Sequence, residues 1–276
     1  NFTAIVVHSQ MERSGYLKSS NPLLNKLFEN IVWGQKGNFV DLPTDCPQRD
    51  ERLGWTGDAQ VFARCASYNY NTQKFFRKWL TDMTYEQRPN GAIPHIIPRL
   101  DWVSASCAWA DAAVIVPWQV YLLYGDRELL ARQYATIKRW IDYMYAQGDD
   151  YIKGKHFGDW LSQDADDPNS CDGGTDKAFI ALAFRAYSTS LFIKMSKILG
   201  IPDTADYEQK LEETKNKVFS FWKLFVFFIL FAAVGSTAIA GAKGQFEALG
   251  AGGAATLLAV KAVGLRRMLC LDIQMV

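Results

Sequence analysis

The sequence has few residues that bind metals or form cross-links. Its 276 residues include three histidines and five cysteines. The histidines lack HxH or HExxH spacing, the cysteines form no CxxC pair, and no glycine-rich phosphate loop is present. We therefore predict no metal, no cofactor, reduced thiols and histidines in ordinary polar loops. These residues are Cys46, Cys65, Cys107, Cys171, Cys270, His8, His95 and His156.

An excess of charge of one sign is also lacking. Thirty Lys plus Arg against 29 Asp plus Glu leave a formal net charge of +1. Without a basic excess, neither nucleic acid nor an anionic membrane surface is predicted as a partner. The chain is rich in aromatic residues, with nine Trp, 12 Tyr and 17 Phe, and several Trp stand beside carboxylates and glycines. This composition favours an uncharged ligand such as a sugar.

The N-terminal segment lacks the features of an export signal. The chain starts at Asn1 without an initiator Met, a basic segment or an apolar segment before a cleavage site. We therefore expect a piece of a longer, cytoplasmic protein. The β-branched run from Phe2 to Val7 predicts a strand, which would end a preceding β domain over residues 1–20.

Residues 21–222 have the pattern of an all-α domain. Asn21 and Pro22 form an N-cap and N1 pair before an amphipathic helix that should end near Gly34 to Gly37. Short loops rich in Gly, Pro, Asp and Asn separate further helical patterns, which predicts antiparallel hairpins arranged in a barrel. These patterns cover Thr56 to Tyr68, Thr72 to Tyr85, Cys107 to Tyr124, Arg127 to Tyr145, Asp176 to Leu199 and Tyr207 to Phe221.

Residues 223–276 differ abruptly in composition. Residues 224–242 carry no charge and would span roughly 28 Å as a helix, which is close to a bilayer core. Gly- and Ala-rich sequence follows. Three explanations stay open: a membrane anchor, a buried core helix, or a tail from a frameshift or fusion. The abrupt change favours the last.

The segment from Asp41 to Asp58 concentrates acids in a loop. It holds five acids and two arginines within 18 positions, interrupted by two prolines and two glycines. The prolines restrict the backbone, and the arginines can bind hydroxyl groups or lower the pKa of a neighbouring carboxylate. Hydrolysis of a glycosidic bond needs two such carboxyl groups on opposite sides of the anomeric carbon. A structural ion-pair network is the alternative interpretation.

The run from Thr44 to Gln60, TDCPQRDERLGWTGDAQ, closely resembles the signature of bacterial α-L-rhamnosidases, whose catalytic domain is a six-hairpin (α/α)6 barrel. Ala108 to Ala112 (AWADA) and Gly158 to Leu161 (GDWL) are further matches. The resemblance covers about residues 1–222. It implies the N-terminal part of a barrel that hydrolyses terminal α-L-rhamnosides with inversion, with a rhamnose-containing glycoside or polysaccharide as partner.

The resemblance also implies roles for single residues. Glu51 would be the general acid, protonated so that it can assist the leaving group. Trp side chains would pack on the 6-methyl group of rhamnose, whose burial contributes about 0.8 kcal/mol. The substrate-binding residues implied are Asp45, Arg49, Trp55, Asp58, Trp109, Asp111, Asp159 and Trp160.

The general base departs from the family pattern. The resemblance implies a Glu in the second half of the barrel, but Glu247 and Asp272 are the only acidic side chains beyond residue 222, and neither stands in a matching motif. We therefore expect this chain alone to be poorly active or inactive. The alternatives are a carbohydrate-binding remnant, a six-hairpin glycosidase for another sugar, and a protein anchored to a membrane through residues 224–242.

Overall fold

The computed structural model describes residues 1–100, 105–162, 167 and 169–221. The described chain divides into residues 1–215 and a second unit that begins at residue 216, of which residues 216–221 are described and helical. The first unit is built from helices with one very short two-stranded ladder. The all-α prediction is confirmed.

Helix α1 begins where the capping pair predicts. It covers Pro22–Asn38, and the Asn21 side chain accepts the N–H groups of Leu23 and Leu24 at 2.9 and 3.4 Å. Proline at the first helical position loses no hydrogen bond, because that N–H has no partner within a helix. The start of this helix is therefore determined locally.

Six further helices follow a small hairpin. Strands β1 (Phe39–Val40) and β2 (Leu42–Pro43) pair antiparallel through Asp41, which turns the chain at a φ of 67°. The helices are α2 (Thr56–Asn69), α3 (Gln73–Glu86), α4 (Ala112–Tyr124), α5 (Arg127–Ala146), α6 (Gly148–Ile152) and α7 (Lys177–Leu199), and residues 205–215 are also helical.

Helix α4 lies at the centre of the packing. Eight of its 13 residues are buried, among them all of the first seven, and it packs against α2, α3, α5 and α7. The sequence predicted that it starts at Cys107, but it starts at Ala112. The residues before it form a turn in which Ala108 has a φ of 67°, a conformation incompatible with a right-handed helix.

The loop between α4 and α5 is joined to α3 by an ion pair whose carboxylate is buried. Gly125 ends α4 with a φ of 65°, and Asp126 caps α5 by accepting the Leu129 N–H at 3.0 Å. Arg77 of α3 donates to both Asp126 oxygens at 2.6 Å, and Gln73 donates at 2.8 Å. Hydrogen bonds from Arg77 hold the pKa of Asp126 far below its usual range.

The strand predicted from Phe2 to Val7 is not formed. These residues have an irregular backbone and are exposed, because no other segment among the described residues forms backbone hydrogen bonds with them. The first backbone pairing of this region is Ser9 N–H to Phe39 O, at 2.8 Å. The assignment of residues 1–20 to a preceding β domain stays a prediction.

Helix α7 is the one described helix long and apolar enough to cross a membrane. More than half of its most apolar 18-residue stretch is buried, and α7 packs against α4, α5 and α6, as a core helix does. The predicted segment 224–242 and the rest of the tail lie outside the described residues.

The four described cysteines are free thiols, and the cytoplasmic location stays a prediction.

Candidate active site

The acidic loop between β2 and α2 is closed by Asp45. Its Oδ1 accepts the Leu53 N–H at 2.9 Å, and its own N–H donates to the Leu53 carbonyl at 3.1 Å. Burial favours the neutral carboxyl, but hydrogen bonds from Leu53, Cys46 and Arg49 outweigh it and lower the pKa of Asp45. The loop therefore surrounds a carboxylate that is ionised at neutral pH.

Glu51 is held by two donors at the surface of this loop. Its Oε1 accepts the Trp55 Nε1–H at 2.8 Å, and its Oε2 lies 3.3 Å from Arg49 Nη2. The same Arg49 nitrogen donates to Asp45 Oδ2 at 3.0 Å. Because the Glu51 side chain is 39% exposed, its carboxyl is oriented and still accessible to a ligand.

Asp58 stands on the first turn of α2, facing the same carboxylates. Solvent reaches it, yet the protein atoms crowded around its carboxyl raise its pKa, and the negative charges of Asp45 and Glu51 add to this effect. The structure thus brings together four of the predicted site residues, Asp45, Arg49, Glu51 and Asp58.

Two glycines of the motif allow close contacts that no larger residue would. A Cβ on Gly54 would lie 2.0 Å from the Ile97 carbonyl oxygen, and the Ile97 N–H donates to the Gly54 carbonyl at 2.9 Å. A Cβ on Gly57 would lie 2.6 Å from the indole of Trp109. The end of the acidic loop is therefore pressed against residues 95–97, and the start of α2 is pressed against Trp109.

Phe157 contacts all three tryptophans that were predicted to line the sugar site. Its ring centroid lies 5.9 Å from that of Trp55, 4.6 Å from that of Trp109 and 5.5 Å from that of Trp160. Trp160 is 44% exposed, so the group reaches the surface. We call these four rings the aromatic wall. Phe157 was not predicted as a site residue, although it directly precedes the GDW motif.

Asp111 lies beneath the wall and not on its surface. It is 0% exposed, and its Oδ1 accepts Trp140 Nε1–H at 3.1 Å and Ser188 O–H at 2.6 Å. Its Oδ2 accepts the Ala108 N–H at 2.8 Å. Burial raises the pKa of Asp111 to about 6 although these donors oppose the rise. Its predicted contact with sugar is replaced here by support of the turn that carries Trp109.

Asp159 supports the turn that carries Trp160. Its carbonyl accepts the Gly173 N–H at 2.8 Å, and its Oδ2 accepts the Thr175 hydroxyl at 3.2 Å. Trp160 itself pairs with Asp172 in an isolated bridge. Asp159 is half-buried beside the wall, so a role in sugar binding stays a prediction.

His95 and His156 are buried supports, which corrects their expected place in polar loops. They are 5% and 7% exposed. His95 Nε2 accepts the Ser106 N–H at 2.9 Å, and His156 Nδ1 accepts the Cys107 N–H at 3.0 Å. Burial lowers the pKa of His95 to about 4 and lowers that of His156. Both rings are therefore neutral acceptors that hold the segment before Trp109.

The acidic loop also contains the only group of three potential metal ligands found among the described residues. Ligand atoms of Asp45, Cys46 and Glu51 lie within 4.8 Å of one another. Arg49 already donates to both carboxylates, so its guanidinium supplies positive charge there. The absence of a metal stays a prediction.

The chain is similar to known α-L-rhamnosidases. Residues 12–222 match the family described as bacterial alpha-L-rhamnosidase 6 hairpin glycosidase domain. The alpha-L-rhamnosidase of Alteromonas sp. (strain LOR) is 40% identical over 220 residues, which are 78% of this chain and 24% of that protein.

Solved structures share the fold. The alpha-L-rhamnosidase of Streptomyces avermitilis, complexed with L-rhamnose, matches with a TM-score of 0.71 and 36% identity over 77% of this chain and 20% of its own. Native rhamnosidase from Aspergillus terreus matches with a TM-score of 0.72 and 38% identity, over 79% of this chain and 26% of its own. The chain thus spans about a quarter of these relatives. Because the family match covers most of the chain and the fold agrees, this chain belongs to the bacterial α-L-rhamnosidase six-hairpin glycosidase domain family.

Proposed function

We propose that this chain supplies the sugar subsite and the general acid of an inverting α-L-rhamnosidase. The observation that carries the proposal is the position of Glu51, whose carboxyl is oriented by Trp55 and Arg49 beside the aromatic wall. The related α-L-rhamnosidases support the substrate, since one of them was solved with L-rhamnose. The product of inversion would be β-L-rhamnose.

Glu51 has the surroundings that proton donation to a leaving group requires. When it gives up its proton, a carboxylate remains, and the Trp55 N–H and the Arg49 guanidinium are already placed to stabilise that charge. These donors need not move as the charge develops. A glycoside seated against the wall would also shield Glu51 from water, which strengthens both interactions.

The two faces of the site would bind different parts of the sugar. Asp45, Arg49 and Asp58 offer acceptors and a donor for the hydroxyl groups, and the aromatic wall offers apolar surface for the 6-methyl group. L-Mannose differs from L-rhamnose by a hydroxyl at carbon 6. Burial of one methyl contributes about 0.8 kcal/mol, so L-rhamnose should bind about fourfold more tightly than L-mannose.

Sugar binding and hydrolysis test the two halves of the proposal separately. Calorimetric titration of the purified chain with L-rhamnose should show saturable binding, which E51Q retains because the change is isosteric. Any hydrolysis of methyl α-L-rhamnoside, whose methoxide leaving group needs a proton to depart, should fall roughly 100- to 10,000-fold in E51Q. The control D50N removes a charge from the exposed neighbour Asp50 and should leave hydrolysis unchanged.

Three outcomes discriminate between the hypotheses. Lack of L-rhamnose binding would refute the proposed subsite. Hydrolysis that persists in E51Q would refute the assignment of the acid. Binding without hydrolysis in the wild type would favour the carbohydrate-binding alternative, in which the chain has no general base. Glu247 and Asp272, the only acids beyond residue 222, lie outside the described residues.

A further inference from the structure

Phe157 is the centre of the aromatic wall. Its ring meets Trp55 and Trp160 at interplanar angles of 77° and 69°, and it meets Trp109 at 45° with the shortest separation, 4.6 Å between centroids. Edge-to-face contacts of this kind are directional, because the positive edge of one ring faces the negative face of another. An aliphatic side chain of similar volume would fill the space but would not set these angles.

Two buried residues, Ser106 and His95, hold Phe157 in place. Its N–H donates to the Ser106 hydroxyl at 3.1 Å, and its ring packs edge-to-face on His95 at 4.9 Å. His95 in turn accepts the Ser106 N–H at 2.9 Å. The three residues form a closed set of contacts, so the Phe157 ring has a fixed support beneath the tryptophans.

The backbone after Phe157 leads directly to Trp160. Gly158 has a φ of 72°, and a Cβ there would lie 2.8 Å from the Lys177 side chain. This turn, which favours glycine, redirects the chain so that Phe157 and Trp160 pack on each other. The GDW motif thus needs the preceding aromatic ring to complete its geometry.

The same ring is linked to the acid through Trp55. The Trp55 indole packs edge-to-face on Phe157 and donates its Nε1–H to Glu51 Oε1 at 2.8 Å. We infer that Phe157 is a positioning residue for the rhamnose subsite, which fixes the three tryptophans against the sugar and, through Trp55, the direction of the Glu51 carboxyl. This inference rests on the proposed function.

Removal of the ring should therefore impair binding more than folding. In F157L the tryptophans gain rotamer freedom, and a bound sugar would have to order them, which lowers its affinity. We expect F157L to bind L-rhamnose about tenfold more weakly than the wild type. F157Y keeps the ring and should restore most of the affinity.

A matched control separates positioning from general loss of packing. Phe62 is also half-buried and packs edge-to-face on Phe39 at 6.1 Å. F62L should lower the melting temperature by a similar amount and leave the affinity for L-rhamnose unchanged. S106A removes the acceptor of the Phe157 N–H without touching a ring, and it should weaken binding in the same direction as F157L. It tests the inference even if F157L does not fold.

The indole N–H resonances of Trp55, Trp109 and Trp160 give a readout that is independent of sugar binding. F157L should shift all three in the nitrogen–proton correlation spectrum, and F62L should shift none. Unmoved indole resonances, or wild-type affinity in both F157L and S106A, would overturn the positioning role. If the wild type binds no L-rhamnose but F157L moves the three resonances, the proposed function fails and the structural arrangement stands.

Discussion

Acidic pH should lower the free energy of unfolding, because His95, which accepts the Ser106 N–H in the segment before Trp109, is buried in its neutral form. Its pKa is about 4 in the folded protein, whereas the unfolded chain has the ordinary value of about 6.5. As the pH falls below 6.5, His95 takes up a proton in the unfolded state, whereas in the folded state it stays neutral until the pH approaches 4. The contribution of His95 to stability is therefore complete above pH 6.5 and is lost as the pH falls towards 4.

The magnitude follows from the two pKa values. At pH 5 the loss from His95 alone is about 2 kcal/mol, and near pH 4 it approaches about 3 kcal/mol. Asp111 acts in the opposite direction, because its folded pKa of about 6 lets the folded state take up a proton first. The total stability of the wild type therefore does not isolate His95, and a difference between variants is needed.

The variant H95Q provides this difference. Glutamine keeps an acceptor near the Ser106 N–H but has no proton to gain in this range. Urea unfolding followed by tryptophan fluorescence at pH 7.5 and pH 5 should show that the wild type loses about 2 kcal/mol more than H95Q. Equal losses in the wild type and H95Q would refute the reasoning.

Two further substitutions test the packing around the site. G57A should displace Trp109, cost about 1–3 kcal/mol of stability and weaken binding of L-rhamnose, whereas G34A, where a Cβ meets nothing within 4 Å, should leave both intact; calorimetry and urea unfolding measure the two effects. R77M should leave the buried Asp126 carboxylate without its main partner and cost about 2–4 kcal/mol in urea unfolding, and a loss below 1 kcal/mol would contradict a stabilising role of this ion pair.

Much of the fold and the identity of the site could be predicted from the sequence. The cap at Asn21, the helical patterns and the run from Thr44 to Gln60 depend on residues near one another in the chain, so their physical meaning is local. The acids of this run do converge, since the loop is short and closed by Asp45. The resemblance that this run carries also identified the family before any geometry was known.

Tertiary structure alone decided what supports the site. His95 and Phe157 carry no spacing that marks them, and their meeting with Ser106 joins residues that precede α4 to a residue that follows α6. Likewise the burial of Asp111 depends on Trp140 and Ser188, which come from two later helices. The segment from Phe2 to Val7 shows that a local pattern is not always sufficient. Its β-branched residues favour a strand, but a strand forms only where a second strand pairs with it. Local patterns specify elements and chemistry, whereas contacts between distant segments are specified only when the whole chain packs.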